Sequence, residues 1–233
     1  MIEVAVTGAG GHMGREVIEA VTHRDGMAVV LAVNRTAVDP VAGHEVEAEA
    51  DLPDLLDDRD PDVLVDFTLP DPSTRYVEAC ADAGVAAVVG TTGFSDSQSA
   101  VLADAAESVP VLRASNFARG VMALRRAIRK AVEAVPDYDV ELTETHHNRK
   151  RDAPSGTALT ILDDVDDARG DDGERVHGRE GEQPREDGEV GVHARRAGDV
   201  TGEHELLLAG NHEILTLTHR AESRGVFAAG ALD

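Results

Sequence analysis

In the first half of the chain, apolar residues fall into short continuous runs separated by amphipathic stretches. The runs IEVAVTG (2–8), MAVVLAV (27–33), DVLVDFT (62–68), VAAVVGTT (85–92) and VPVLRAS (109–115) are too unbroken to be half-exposed strands. Such runs suit a parallel sheet buried on both faces. Helical patterns fill the gaps, from His12 to about Arg24 and near 72–83 and 95–107. Strand and helix in alternation predict a Rossmann-type, doubly wound α/β domain.

The pattern changes near residue 117. A helix is expected from about Ala118 to Val135, followed by the alternating strand YDVELTETH (138–146) and another helix after Pro154. Residues 163–189 are rich in glycine and acid and read as a long loop. VGVHARR (190–196), EHELLLAG (203–210) and HEILTLTHR (212–220) follow as antiparallel or mixed strands. ESRGVFAAGALD begins a closing helix. This organisation predicts one domain over 1–117, joined by 222–233, and a smaller α+β domain over 118–221. No internal repeat is present.

Charge alters the picture more than composition does. The chain carries a formal net charge of −23, from 22 Lys+Arg against 45 Asp+Glu, and its only lysines are Lys130 and Lys150. Phosphate backbones would be repelled, so nucleic acid is not an expected partner. Carboxylates spread along the whole chain with almost no lysine point to a salt-rich cytoplasm, where screening relieves self-repulsion. The lone Cys80 excludes an internal disulfide and suits a reducing compartment. No apolar run approaches the ~18 residues of a membrane span. The opening MIEVAVTGAGG lacks the basic start of a secretory leader.

The first run ends in GAGGHMG (8–14). A glycine turn between strand and helix lets backbone N–H groups approach a pyrophosphate at the positive end of the helix. The spacing departs from strict G-x-G-x-x-G, but the strand–turn–helix context is that of a dinucleotide site. The contacts expected there are Gly8, Ala9, Gly10, Gly11, His12 and Met13. About twenty residues on, where an acid would accept from a ribose hydroxyl, stand Asn34 and Arg35. Asn34 repels no 2′-phosphate and Arg35 can pair with one, so NADPH is expected alongside NADH. The strand ends Gly90-Thr91-Thr92 and Ala114-Ser115-Asn116-Phe117 open into the same crevice and are expected to touch the cofactor.

The stretch ETHHNRKRDAPSGT (144–157) gathers positive charge in an acidic chain. By itself it reads as readily as a solvated basic loop with two surface histidines. Adjacent histidines on a strand point to opposite faces, and no H-E-x-x-H spacing occurs, so a metal site is not expected. The stretch resembles the signature of the dihydrodipicolinate reductase family, E-x-H-H-x-x-K-x-D-x-P-S-G-T. Glu144, His146, His147, Lys150, Asp152, Pro154, Ser155, Gly156 and Thr157 match every fixed position. Further similarity runs through VAVTGAGGHMGR, DVLVDFTLPD, VVGTTGF, ASNFARGV, GREG, RAGDVTGEHE and ESRGVFAAGAL. The family continues a few dozen residues past the F-A-x-G-A segment, whereas this chain stops at Asp233, and Asn34 replaces its frequent acid.

The resemblance implies an NAD(P)H-dependent reductase of lysine biosynthesis, cytoplasmic and homotetrameric through the second domain's sheet. Its substrate is a small ring dicarboxylate. It implies His146 as acid–base group with Lys150 beside it in catalysis, and His147, Ser155, Gly156 and Thr157 as substrate contacts. The physical chemistry agrees. Histidine ordinarily titrates near neutrality, lysine is a compact cation, and a helix start after proline offers free N–H groups to a carboxylate.

Overall fold

The computed structural model describes residues 1–233, in two compact units: 1–117 with 224–233, and 118–223. The first unit runs β1 (Ile2–Thr7), α1 (His12–Thr22), β2 (Met27–Asn34), β3 (Glu47–Ala48), α2 (Leu52–Arg59) and β4 (Val63–Asp66). It continues with α3 (Pro70–Ala83), β5 (Ala86–Val89), α4 (Asp96–Ala105) and β6 (Val111–Arg113). Its six strands are all parallel, in the order β3-β2-β1-β4-β5-β6. Successive side chains feed opposite layers: Ala5 and Leu64 pack with Leu56, Val77 and Cys80, while Val4, Val6 and Val65 pack with Val17, Ile18 and Val21. That two-sided burial is why these strands read as unbroken apolar runs.

In the second unit, α5 (Arg119–Ala134) precedes β7 (Asp139–His146), α6 (Gly156–Arg169), β8 (Arg175–His177), β9 (Val190–Arg196), β10 (Gly202–Gly210) and β11 (Glu213–Ala221). The sheet is mixed, in the order β11-β10-β7-β9-β8, with β7 parallel to β9 and antiparallel to β10. One face, carrying Val140, Leu142, Val192, Leu206 and Leu208, packs on α5 and α6 through Leu124, Ile128, Ile161, Leu162 and Val165. The other face carries Glu141, Thr143, His193 and Glu205, all partly exposed. No helix of the chain is long and apolar enough to cross a membrane.

Two expectations need correction. The stretch 163–189 is not one long loop. Helix α6 continues to Arg169 and ends at Gly170 in the left-handed conformation, and β8 lies beyond it. Two of its acids are held by arginines of α5 and of β8. Asp164, 3% exposed, takes Arg125 Nε at 2.5 Å and Arg129 at 3.3 Å, and Asp166 takes Arg175 at 2.6 Å. The segment between β2 and β4 also holds β3 and α2, which the apolar pattern does not announce. β3 is two residues long, and α2 buries only Leu52 and Leu56.

The last helix, α7 (Gly225–Ala231), belongs to the first unit and packs Ala228, Ala231 and Leu232 into the layer around α1. It passes so close to Phe117 that a Cβ on Gly230 would strike the Phe117 carbonyl.

Candidate active site

Parallel strands bring their carboxyl ends to one edge of the first sheet, where the expected cofactor residues gather. Gly8 takes φ +64° after β1, and a Cβ on Gly14 would collide with the backbone of Gly8 and Ala9. Only glycine permits the first turn of α1 to approach so closely. That helix starts at Gly11 with no side-chain cap and no acid in its first turn, so its leading N–H groups remain for an anion. His12 is exposed, and Met13 packs partly on the core. A phosphate-bearing nucleotide fits this cradle.

Asn34 does more local work than its sequence position suggests. Its Oδ1 accepts from Gly10 N at 3.2 Å and its Nδ2 donates to Thr36 O at 2.8 Å, so its amide buttresses the glycine turn. Arg35 is exposed and lines a cavity of about 570 Å³ with Glu49, Leu69, Asp71, Arg75 and Gln98. Thr91 is 4% exposed, and its hydroxyl donates to the buried Asp66 at 2.7 Å. Thr92 is exposed beside it. Ala114, Ser115 and Asn116 follow β6. Phe117 sets its ring edge-on to Phe67, with centroids 5.7 Å apart.

In the second unit, the two-residue period of β7 puts Glu144 and His146 on the face of Val140 and Leu142. Glu144 is wholly buried. Its Oε2 meets His146 Nδ1 at 2.5 Å and accepts from Arg196 Nη1 at 2.9 Å. Its Oε1 accepts from Arg196 Nη2 at 2.7 Å and from the backbone N–H of Ser155 at 3.0 Å. Burial alone would raise the Glu144 carboxyl, but the hydrogen bonds and charges of His146 and Arg196 outweigh it and hold it down at about 2. An ionised Glu144 at Nδ1 leaves Nε2 as the ring atom free to exchange a proton.

Ser155 caps α6, with its Oγ accepting from Ala158 N at 3.2 Å and lying 3.1 Å from His204 Nε2. His204 stands directly opposite Glu144 in the β7–β10 register, its ring edge-on to His146 at 5.2 Å. Burial, reinforced by the nearby His146, pushes His204 down to about 4, so its ring is neutral at pH 7. Gly156 and Thr157 are the first two residues of the helix, directly after this cap. His147 is partly buried at the end of β7.

The positive run is largely neutralised in place. Lys150 Nζ lies 2.8 Å from Asp152, Arg149 lies 2.9 Å from Asp199, and Arg196 also donates to the Asp152 carbonyl at 2.6 Å. Although burial opposes it, the Lys150 hydrogen bond holds the Asp152 carboxyl below the ordinary range. Counting charge along the sequence therefore overstates the field of this segment, because Asp199 is far away in the chain. Arg196 and His204 were not singled out by sequence reasoning, and Glu144 was noted only as a motif match. The Glu144–His146 spacing was a usable signal; the other two depend on strand register.

Comparison with known proteins decides the family. Residues 2–117 match the family model for dihydrodipicolinate reductase, N-terminus, and residues 120–233 match that for its C-terminus. The chain belongs to the dihydrodipicolinate reductase family. Among its relatives, the 4-hydroxy-tetrahydrodipicolinate reductase of Natronomonas pharaonis is 56% identical, over 100% of this chain and 92% of the relative. That of Haloarcula marismortui is 55% identical, with the same coverage. A dipicolinate-bound dihydrodipicolinate reductase from Paenisporosarcina sp. TG-14 superposes with a TM-score of 0.78 at 28% identity, covering 100% of this chain and 92% of that one. The family's two-part organisation thus extends over essentially the whole chain.

Proposed function

We propose that this chain catalyses the NAD(P)H-dependent reduction of 4-hydroxy-tetrahydrodipicolinate to tetrahydrodipicolinate, in the diaminopimelate route to lysine. The observation that carries the reading is the Glu144–His146 pair at the end of β7, tied to the Ser155 cap through Glu144. Overall the substrate gains a hydride and a proton and its hydroxyl departs as water. When bound, the reduced nicotinamide supplies the hydride. Glu144 fixes the tautomer of His146, so that Nε2 exchanges the proton with the ring. Lys150 supplies a cation to one substrate carboxylate and is the second proton source. The leading N–H groups of α6, at Gly156 and Thr157, and the His147 side chain receive the other carboxylate.

Gly8, Ala9, Gly10, Gly11, His12 and Met13 hold the nucleotide's pyrophosphate, and Gly90 to Thr92 with Ala114 to Phe117 border its nicotinamide half. NADPH serves at least as well as NADH, because Asn34 offers no carboxylate and Arg35 faces the cavity it shares with Arg75. Assembly as a homotetramer through the second sheet is part of the same reading. It is supported by the edge strand β11, where Ile214 is 67% and Leu215 43% exposed. The setting is the cytoplasm, in keeping with the single, buried Cys80.

The test follows NADPH absorbance with freshly made substrate. His146→Gln should lower turnover by ~10²–10⁴, the usual span for a general acid, with nucleotide affinity unchanged. Lys150→Ala should weaken binding of dipicolinate, a dicarboxylate mimic. Near-normal turnover in the first variant, or undiminished dipicolinate binding in the second, would overturn that residue's assignment.

A further inference from the structure

Asp66 is the last residue of β4 and is fully buried. No arginine or lysine pairs with it. Instead its Oδ1 accepts from the hydroxyls of Thr7 at 2.7 Å and Thr68 at 2.6 Å, and its Oδ2 from those of Ser73 at 2.6 Å and Thr91 at 2.7 Å. Four hydroxyl donors fill the four lone-pair directions of a carboxylate. The charge is felt nearby: Cys80 is pushed up to about 12, first by its own burial and then by Asp66.

The four donors come from four segments: the end of β1, the β4–α3 link, the first turn of α3, and the residue pair after β5. β1 and β4 are neighbours at the point where the strand order reverses, the place where a doubly wound sheet opens its ligand crevice. The Asp66 carbonyl also accepts from Gly90 N at 2.8 Å. With its hydroxyl drawn to Asp66, Thr68 turns its methyl onto Gly8, where a Cβ would sit only 2.6 Å from that methyl. One carboxyl therefore governs the glycine turn through Thr68 and the Gly90–Thr92 edge through Thr91. An apolar residue would fill the space without the desolvation cost of a buried charge, but it would not orient four hydroxyls.

We propose that Asp66 is a positioning residue for the dinucleotide, bolting the ends of β1, β4 and β5 into one binding floor. The proposal rests on reading the crevice as a nicotinamide-nucleotide site. It predicts that Asp66→Asn, whose amide turns two acceptor directions into donors facing hydroxyls, loosens the floor without touching the chemistry in the second unit. Dissociation constants and KM for both NADPH and NADH should rise by ~10–100-fold, the scale of losing one or two hydrogen bonds to a charged group. At saturating cofactor, kcat should stay within about 3-fold, as befits lost binding common to ground and transition states. Thr91→Val keeps the shape but removes one hydroxyl, and should raise both constants by ~2–10-fold, one hydrogen bond's worth.

The experiment is nucleotide titration by calorimetry together with steady-state kinetics and melting curves on the wild type, both variants and Leu56→Ala. Leu56→Ala truncates the core under the same sheet and controls for loss of stability alone. A folded Asp66→Asn protein with affinities within about 2-fold of wild type, or a Leu56→Ala protein with the same loss, would overturn the proposal. Should Asp66→Asn not fold, unchanged affinities in Thr91→Val would overturn it equally. A wild type that binds neither nucleotide would instead refute the underlying site reading.

Discussion

Replacing Glu144 with glutamine keeps its shape and removes its charge, which makes it the sharpest probe of the second unit. The glutamine amide resembles the protonated carboxyl, so the cost of the change can be read from proton linkage. Folding moves this carboxyl from its ordinary 4.5 to about 2, a difference worth about 3 kcal/mol. An independent route agrees: removing one partner of a buried ion pair typically costs ~3–5 kcal/mol, and here Arg196 would keep its charge with only 19% of its side chain exposed. The sign with pH follows from the depressed folded value. Glu144 contributes its stability in full above pH 4.5 and loses it as pH falls through about 2. Urea unfolding at constant high salt should thus find Glu144→Gln weaker than wild type by about 3 kcal/mol at pH 7. The gap should narrow steadily below pH 4.5. Turnover should also fall by ~10²-fold or more, because His146 loses the charged acceptor at Nδ1 that sets its tautomer and stabilises its protonated ring. Equal stability at pH 7, or a gap that stays constant into acid, would refute the reasoning.

Two other expectations concern the surface. Arg35→Ala should raise KM for NADPH more than for NADH, and equal losses for the two cofactors would remove Arg35 from the 2′-phosphate. With a net charge of −23, the melting temperature should climb from low to molar KCl as self-repulsion is screened; a flat or falling curve would count against adaptation to salt.

Much of the first unit is legible in the sequence because its information is local. A strand buried on both faces announces itself by a continuous apolar run, and Gly8 and Gly14 stand where a Cβ would be strained or would collide. Four of the five strand runs overreach by a residue or more at their ends, where the buried stretch gives way to the polar rim, and the second stops one residue short of Asn34. The helix α2 was invisible, since two buried leucines in eight residues form no periodic signal. The acidic run 163–169 was misread for a different reason: its aspartates look like solvated loop until Arg125, Arg129 and Arg175 are seen beside them.

The block 144–157 carries a family resemblance in its residue types and their spacing, and it is that resemblance, not the charge of the run, that points to His146 and Lys150. The sequence also contains the relation of Glu144 to His146, since residues two apart on a strand share a face. What only the tertiary structure decided is how these residues are held. Strand register sets His204 opposite Glu144 and Arg196 beside His146, and the crossover order of the first sheet brings Thr7 and Thr91 onto the carboxyl that Thr68 and Ser73 reach locally. Local patterns depend on neighbours a few positions away, and so survive in the sequence. Register joins Glu144 to His204 and His146 to Arg196, and crossover joins Asp66 to Thr7 and Thr91, all far apart in the chain; a one-residue slip of β7 or β10 would turn Glu144 or His204 to the opposite face.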